Sequence, residues 1–102
     1  MQIKTNISNQ NLIISLSGRL DTITSPQLEE EINRNSLDGI KTVILDMREL
    51  EYISSAGLRV ILMLYKKLTA AGGRLRLINV NDMIMEILSL TGMDSFLEAE
   101  KA

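Results

Sequence analysis

Apolar and polar residues alternate in two short runs near the start of the chain, over 3–7 and 12–17. In the second run the even-numbered residues are leucine or isoleucine, which is the pattern of a strand with one buried face. A polar turn over 9–11 separates the two runs. The pattern therefore predicts an opening β-hairpin whose second strand ends at Gly18.

Hydroxyl residues followed by proline at 24–26 predict the start of a first helix. A hydroxyl side chain caps the free N–H groups of a helix, and proline suits its first turn. Leu28 and Ile32 are one helical turn apart and form the apolar stripe. The three glutamates at 29–31 are expected at the positive end of the helix dipole.

A short apolar run over 42–45 is expected to form a central strand that ends at the carboxylate of Asp46. The longest helix is predicted over 55–71, because apolar residues recur there at helical spacing and the glycine pair at 72–73 is a stop signal. The residues of its apolar stripe are Gly57, Ile61, Leu64 and Leu68, widened by Val60 and Leu62.

A fourth strand is predicted over 75–78, and the Asn-Asp pair at 81–82 then caps a third helix that runs to Leu90. Residues 96–97 are expected to form a last short strand before a polar tail. The order is ββαβαβαβ, and strand–helix–strand crossovers give parallel neighbours. We therefore expect one α/β domain over 1–102, with a mixed sheet of four to five strands covered by helices.

The 102 residues contain no cysteine and no histidine. Disulfides, thiolate nucleophiles and cysteine zinc sites are therefore excluded, and the usual general base of enzymes is missing. A Ser–His–Asp triad cannot form within this chain, and no base stands beside its serines to activate them. We expect no enzymatic activity, no metal and no cofactor.

The 11 basic and 13 acidic residues give a net charge of −2, without any basic run. This balance argues against nucleic acid or anionic lipid as the main partner. No apolar run approaches the length of a membrane span, and the first ten residues lack the basic-then-apolar plan of a signal peptide. We expect a cytoplasmic protein without membrane insertion that is a monomer when free.

The most informative segment is DMRELEYISSAG, which begins at Asp46 and ends at Gly57. It places Ser54 and Ser55 at the start of the longest helix, where unpaired N–H groups and the dipole favour an anion such as phosphate. Capping is the more common role of serine at this position, and one serine can cap while the other projects. We expect Asp21, which follows the second strand, to lie with Asp46 at the same sheet edge, although both are also typical turn formers.

Two longer segments resemble a known family. GRLDTITSPQLEEEI, from Gly18, resembles the Gly-x-Leu-Asp stretch that leads into the first helix of bacterial anti-sigma-factor antagonists. VILDMRELEYISSAGLRVILMLYKKLTAAGGRLRLINV, from Val43, resembles the central block of the same proteins. Nearly the whole chain is similar to these antagonists, which are stand-alone STAS domains.

The resemblance implies a partner switch. Proteins of this family bind an anti-sigma factor that is also a serine kinase. The kinase phosphorylates one serine at the start of the second helix, which ends the association, and a serine phosphatase restores it. Aligning the chain on Gly57-Leu58 places the phosphoacceptor on Ser55, and Asp21 and Asp46 match two acidic positions of the family.

The neighbours of Ser55 differ from the usual family pattern, which has an aspartate before the acceptor and a hydroxyl residue after it. Here Ser54 and Ala56 occupy those positions, so Ser54 is a competing acceptor. A second function therefore stays open: a STAS subunit that docks on the ATPase of a membrane transport complex without being phosphorylated.

The partner surface is expected beside the serines on the same helix. Leu58, Arg59 and Met63 are its candidates, and Gly57 lies in the same rim, where glycine more often marks close packing of helix on sheet. Three methionines at and after the third helix suit either a docking surface or the core, and we expect them to fill the core. They are Met83, Met85 and Met93.

Overall fold

In the computed structural model, which describes residues 1–102, the elements follow the predicted order ββαβαβαβ. The strands are β1 (Gln2–Ser8), β2 (Asn11–Leu20), β3 (Thr42–Ile53), β4 (Arg74–Val80) and β5 (Glu98–Lys101). The helices are α1 (Ser25–Arg34), α2 (Ser55–Ala70) and α3 (Asp82–Leu90), and a 3₁₀ turn covers Met93–Ser95.

The five strands form one mixed sheet in the order β1-β2-β3-β4-β5. The opening hairpin pairs β1 with β2 antiparallel, and the remaining neighbours are parallel. Crossovers between parallel strands are right-handed, and the strand order never reverses, so all three helices lie on one face of the sheet. The predicted mixed α/β architecture is confirmed.

The core lies between that face and the helices. Leu12, Ile14 and Leu16 of β2 are at most 1% exposed, while the residues between them are half-buried. Leu28 and Ile32 of α1 are buried as the predicted apolar stripe. Apolar burial against one sheet face therefore fixes which side of each strand faces the helices.

Strand β3 continues to Ile53 instead of ending at Asp46. Its register with β2 shifts twice, once opposite residues 15–17 of β2 and once opposite residues 18–19. At each shift β3 contains one residue more than β2. Such β-bulges break the regular alternation of buried and exposed positions. This is why the charged stretch after Asp46 carries no strand pattern in the sequence.

The start of α1 also differs from expectation. Gly18 lies within β2, where its φ of +97° is a conformation that glycine adopts at little cost. Thr24 is the N-cap residue, but its side chain makes no cap bond; its hydroxyl donates instead to the Arg19 carbonyl at 2.7 Å. The helix begins at Ser25, so the glutamates at 29–31 lie beyond its first turn.

The last strand follows the apolar pair at 96–97 instead of including it, since β5 covers Glu98–Lys101. It is an edge strand with polar side chains, held to β4 by the ion pairs Arg74–Glu98 and Arg76–Glu100. Charged edge strands resist pairing with other chains, which explains why this strand has no apolar signal.

Candidate functional site

The two serines at the start of α2 have different environments. Ser54 is the N-cap residue, and its Oγ accepts a hydrogen bond from the Gly57 N–H at 3.4 Å. Ser55 is the first residue of the helix and is exposed to solvent. Ser54 therefore satisfies the helix end, while the Ser55 hydroxyl stands free at the positive pole of the dipole.

Gly57 fixes the position of this helix end. It is buried, and a Cβ atom built on it would lie 2.7 Å from Leu20 Cγ and 2.9 Å from Ile53 Cγ1. No real side chain tolerates such distances, so only glycine lets α2 approach the ends of β2 and β3 this closely. Gly57 acts here through packing of helix on sheet.

Asp21 lies next to the serines at this sheet edge. The Ser54 N–H donates to the Leu20 carbonyl at 2.9 Å, which brings the residue after Leu20 beside the start of α2. The Asp21 carboxylate accepts the backbone N–H groups of Thr24 at 3.1 Å and Ile23 at 3.0 Å. The Thr24 N–H contributes most to holding the pKa of Asp21 below its usual range. Asp21 is thus ionised and shapes the turn into α1.

Asp46 does not join this edge, which corrects the expectation of two carboxylates at one rim. It lies within β3, seven residues before Ile53, and this length of strand spans about 20 Å. Its carboxylate accepts the side-chain amide of Asn79 at 2.9 Å and the Arg48 N–H at 3.1 Å. Asp46 therefore ties β3 to β4 on the sheet face opposite the helices.

The expected partner residues of α2 divide between core and surface. Leu58 is only 8% exposed and belongs to the hydrophobic core. Leu62, which was predicted to widen the apolar stripe, is half-buried. Arg59 is exposed and Met63 half-buried, and both line a groove between α1 and α2 of about 330 Å³. Arg59 and Met63 thus remain surface residues close to Ser55, whereas Leu58 does not.

The structure adds residues that the sequence did not single out. The groove is also lined by Thr22, Pro26 and Glu29 on the α1 side and by Ala56 and Val60 on the α2 side. Ile23, in the loop before α1, is 86% exposed beside Asp21. An isoleucine within a run of polar turn residues is a signal that the sequence does contain. The groove depends on how α1 packs against α2, which no local pattern encodes.

Among residues 1–102, no three carboxylate side chains are grouped so that they could hold a metal ion. None of the helices combines the length and the apolar character needed to cross a membrane.

A model of the STAS domain family matches residues 2–101 of the chain. The chain is 37% identical to BtrV of Bordetella bronchiseptica over 81 residues, which are 79% of this chain and 70% of BtrV. It is 33% identical to the anti-sigma F factor antagonist of Paenibacillus polymyxa over 97 residues, which are 91% of this chain and 80% of that protein.

Solved structures show the same fold. SpoIIAA in its unphosphorylated form has a TM-score of 0.78 at 19% identity, covering 99% of this chain and 89% of that one. The phosphorylated form of SpoIIAA from Bacillus has a TM-score of 0.75 at 21% identity, covering 96% and 90%. With the family match over almost its whole length, the chain belongs to the STAS domain family.

Proposed function

We propose that this protein is an anti-sigma factor antagonist that binds an anti-sigma factor with serine kinase activity, and that a phosphate on Ser55 ends the association. The observation that carries the proposal is the division of roles at the start of α2. Ser54 is used as the cap, and Ser55 is left exposed one residue further. A serine phosphatase would return the protein to its binding form.

The geometry favours Ser55 over Ser54 as the acceptor. A phosphate on Ser54 would replace the hydroxyl that caps Gly57, in a half-buried position. A phosphate on Ser55 adds nearly two negative charges at an exposed site that already stabilises anions, so the fold survives the modification. The effect of the phosphate then falls on the complex and not on the free protein.

The docking surface of this complex is the rim around Ser55. It comprises the exposed side chain of Ile23, the ionised Asp21, and the groove that Arg59 and Met63 line. A partner seated there covers the Ser55 hydroxyl. When that hydroxyl becomes a hydrated dianion, the interface must desolvate it, which is costly without cationic partners. An effect of a few kcal/mol changes affinity by orders of magnitude, which suffices for a switch without conformational change.

The relatives support the same conclusion. The P. polymyxa protein, 33% identical to this chain, is named an anti-sigma F factor antagonist. SpoIIAA, which shares the fold, exists in phosphorylated and unphosphorylated forms. The same fold thus accommodates a phosphorylated form in that protein.

Mass spectrometry of the protein from its native cells tests the proposal. A single phosphate that fragmentation places on Ser55, absent in Ser55→Ala and retained in the matched Ser54→Ala variant, supports it. An unmodified Ser55 under conditions that change the activity of the cognate sigma factor contradicts the switch. That result favours the STAS subunit that docks on a transport ATPase without phosphorylation.

A further inference from the structure

Helix α3 is apolar on two sides. Ile84 and Leu88 face the core and are fully buried. Met83, Ile87 and Leu90 are spaced at i, i+4 and i+7 and form a second stripe, here called the α3 stripe. Met83 is 43% exposed and Leu90 79% exposed, while Ile87 is half-buried. The expectation that methionines fill the core thus fails for Met83.

Exposed apolar side chains are concentrated in the part of the chain that contains the α3 stripe. Of the five large apolar residues that are exposed in the structure, Met83, Leu90 and Phe96 lie within one segment of the chain. Phe96 directly follows the 3₁₀ turn that packs against α3, and its ring lies 5.0 Å from that of Tyr65. Single exposed apolar residues are normal, but grouped ones mark interaction surfaces.

The border of the α3 stripe is acidic. Residues 81–97 contain three acidic side chains and no basic one. Asp82 and Glu86 are exposed one turn apart along the outer side of the stripe, and Asp94 is exposed in the 3₁₀ turn. Lys101 pairs with Asp82 at 3.3 Å, so Glu86 and Asp94 are left without an ion pair.

We propose that the α3 stripe is a docking surface for an amphipathic helix of a partner protein whose apolar face is bordered by lysine or arginine. Apolar anchors at i, i+4 and i+7 fit a helix laid alongside, and the acidic border fits basic side chains at its rim. A second copy of this chain would bring like charges together, and an anionic membrane would be repelled. None of the three stripe residues lines the groove beside Ser55.

A titration of the ¹⁵N-labelled protein with synthetic helical peptides tests the docking surface. The probe is an 18-residue amphipathic peptide of leucine and lysine, and its counterpart replaces every lysine by glutamate. We expect the lysine peptide to shift the amide signals of Met83, Ile87 and Leu90, with a Kd on the order of 100 μM because the surface is small. The glutamate peptide is expected to bind at least about tenfold more weakly.

Matched variants identify the surface. Leu90→Ser and Glu86→Lys are expected to raise the Kd about five- to tenfold. Ile7→Ser and Asp38→Lys change exposed residues elsewhere and are expected to leave the Kd unchanged. Equal effects of test and control variants, or equal binding of both peptides, overturn the proposal. So does sedimentation that shows a dimer which Leu90→Ser dissociates, because the occupant would then be a second copy.

Discussion

Ser54 Oγ accepts the N–H of Gly57 at 3.4 Å, and this bond separates the functions of two adjacent hydroxyl groups. The capping residue is held by the helix it begins, whereas its neighbour Ser55 is free for a second role. One short segment thus provides both a capped helix start and an exposed hydroxyl group.

The capping role predicts different stabilities for two serine variants. Ser54→Ala removes the cap and is expected to lower the free energy of unfolding by about 1 kcal/mol. Ser55→Ala changes an exposed side chain and is expected to stay within about 0.5 kcal/mol of the unmodified protein. Urea denaturation of both variants at one pH measures the difference. A larger loss in Ser55→Ala would show that the roles are reversed.

Close packing at Gly57 predicts that Gly57→Ala is destabilising although alanine favours helices. Overpacking typically costs 1–3 kcal/mol, and alanine regains only about 1 kcal/mol of helix propensity. We expect a net loss of about 1 kcal/mol in urea denaturation. In the Leu20→Ala background the clash with Leu20 Cγ at 2.7 Å disappears, so Gly57→Ala is expected to cost less there. An unchanged cost in that background would contradict the packing argument.

The ionised Asp21 predicts a pH dependence of stability. The pKa of Asp21 is lowered in the folded protein, chiefly by the Thr24 N–H, so the carboxylate stabilises the fold above its unfolded pKa. That contribution is lost as the pH falls through the lower pKa of the folded state. Asp21→Asn is therefore expected to lower the free energy of unfolding at pH 7 and to change it less at pH 3. Equal losses at both values would show that the charge of Asp21 does not contribute.

Arg59 is one helical turn after Ser55, at the spacing where side chains of a helix interact. With phosphoserine installed at position 55, we expect this guanidinium to lower the second pKa of the phosphate, because a nearby cation favours the dianion. A ³¹P NMR titration measures that pKa in the unmodified background and in Arg59→Gln. Arg59→Lys keeps the charge, and Lys67→Gln removes an exposed charge about two turns beyond Arg59. A phosphate pKa that changes in Lys67→Gln and stays the same in Arg59→Gln contradicts this pairing.

Local patterns were sufficient for most of the fold. The strand over 12–17 and the helix over 55–71 each pack against the core through one apolar face. The spacing of apolar residues in the sequence therefore matches the spacing of buried residues in the structure. The caps at Ser54 and Asn81 also follow from local chemistry, and Asn81 accepts the Ile84 N–H at 2.8 Å. Where a single face decides burial, the sequence pattern and the structure agree.

Three of the differences share one cause, which is that they depend on contacts between distant segments of the chain. The two bulges of β3 depend on its register with β2, and they break the alternation in the part of the strand that continues beyond Asp46 to Ile53. The bond from Asn79 to Asp46 joins two residues that are 33 positions apart in the sequence. Leu58 is buried because Gly57 brings α2 onto the sheet. None of these relationships has a local period that a sequence pattern could display.

Phosphate on Ser55 is proposed to control partner binding, and the affinity of the cognate anti-sigma factor for defined forms of this protein tests that control. The forms are the unmodified chain, the chain with phosphoserine at position 55, and a control with phosphoserine at the exposed Ser36, beyond the end of α1. Phosphoserine at 55 is expected to raise the Kd by about 100-fold or more, and phosphoserine at 36 to leave it within about twofold. Equal affinity of the unmodified chain and the chain phosphorylated at Ser55 would contradict the switch.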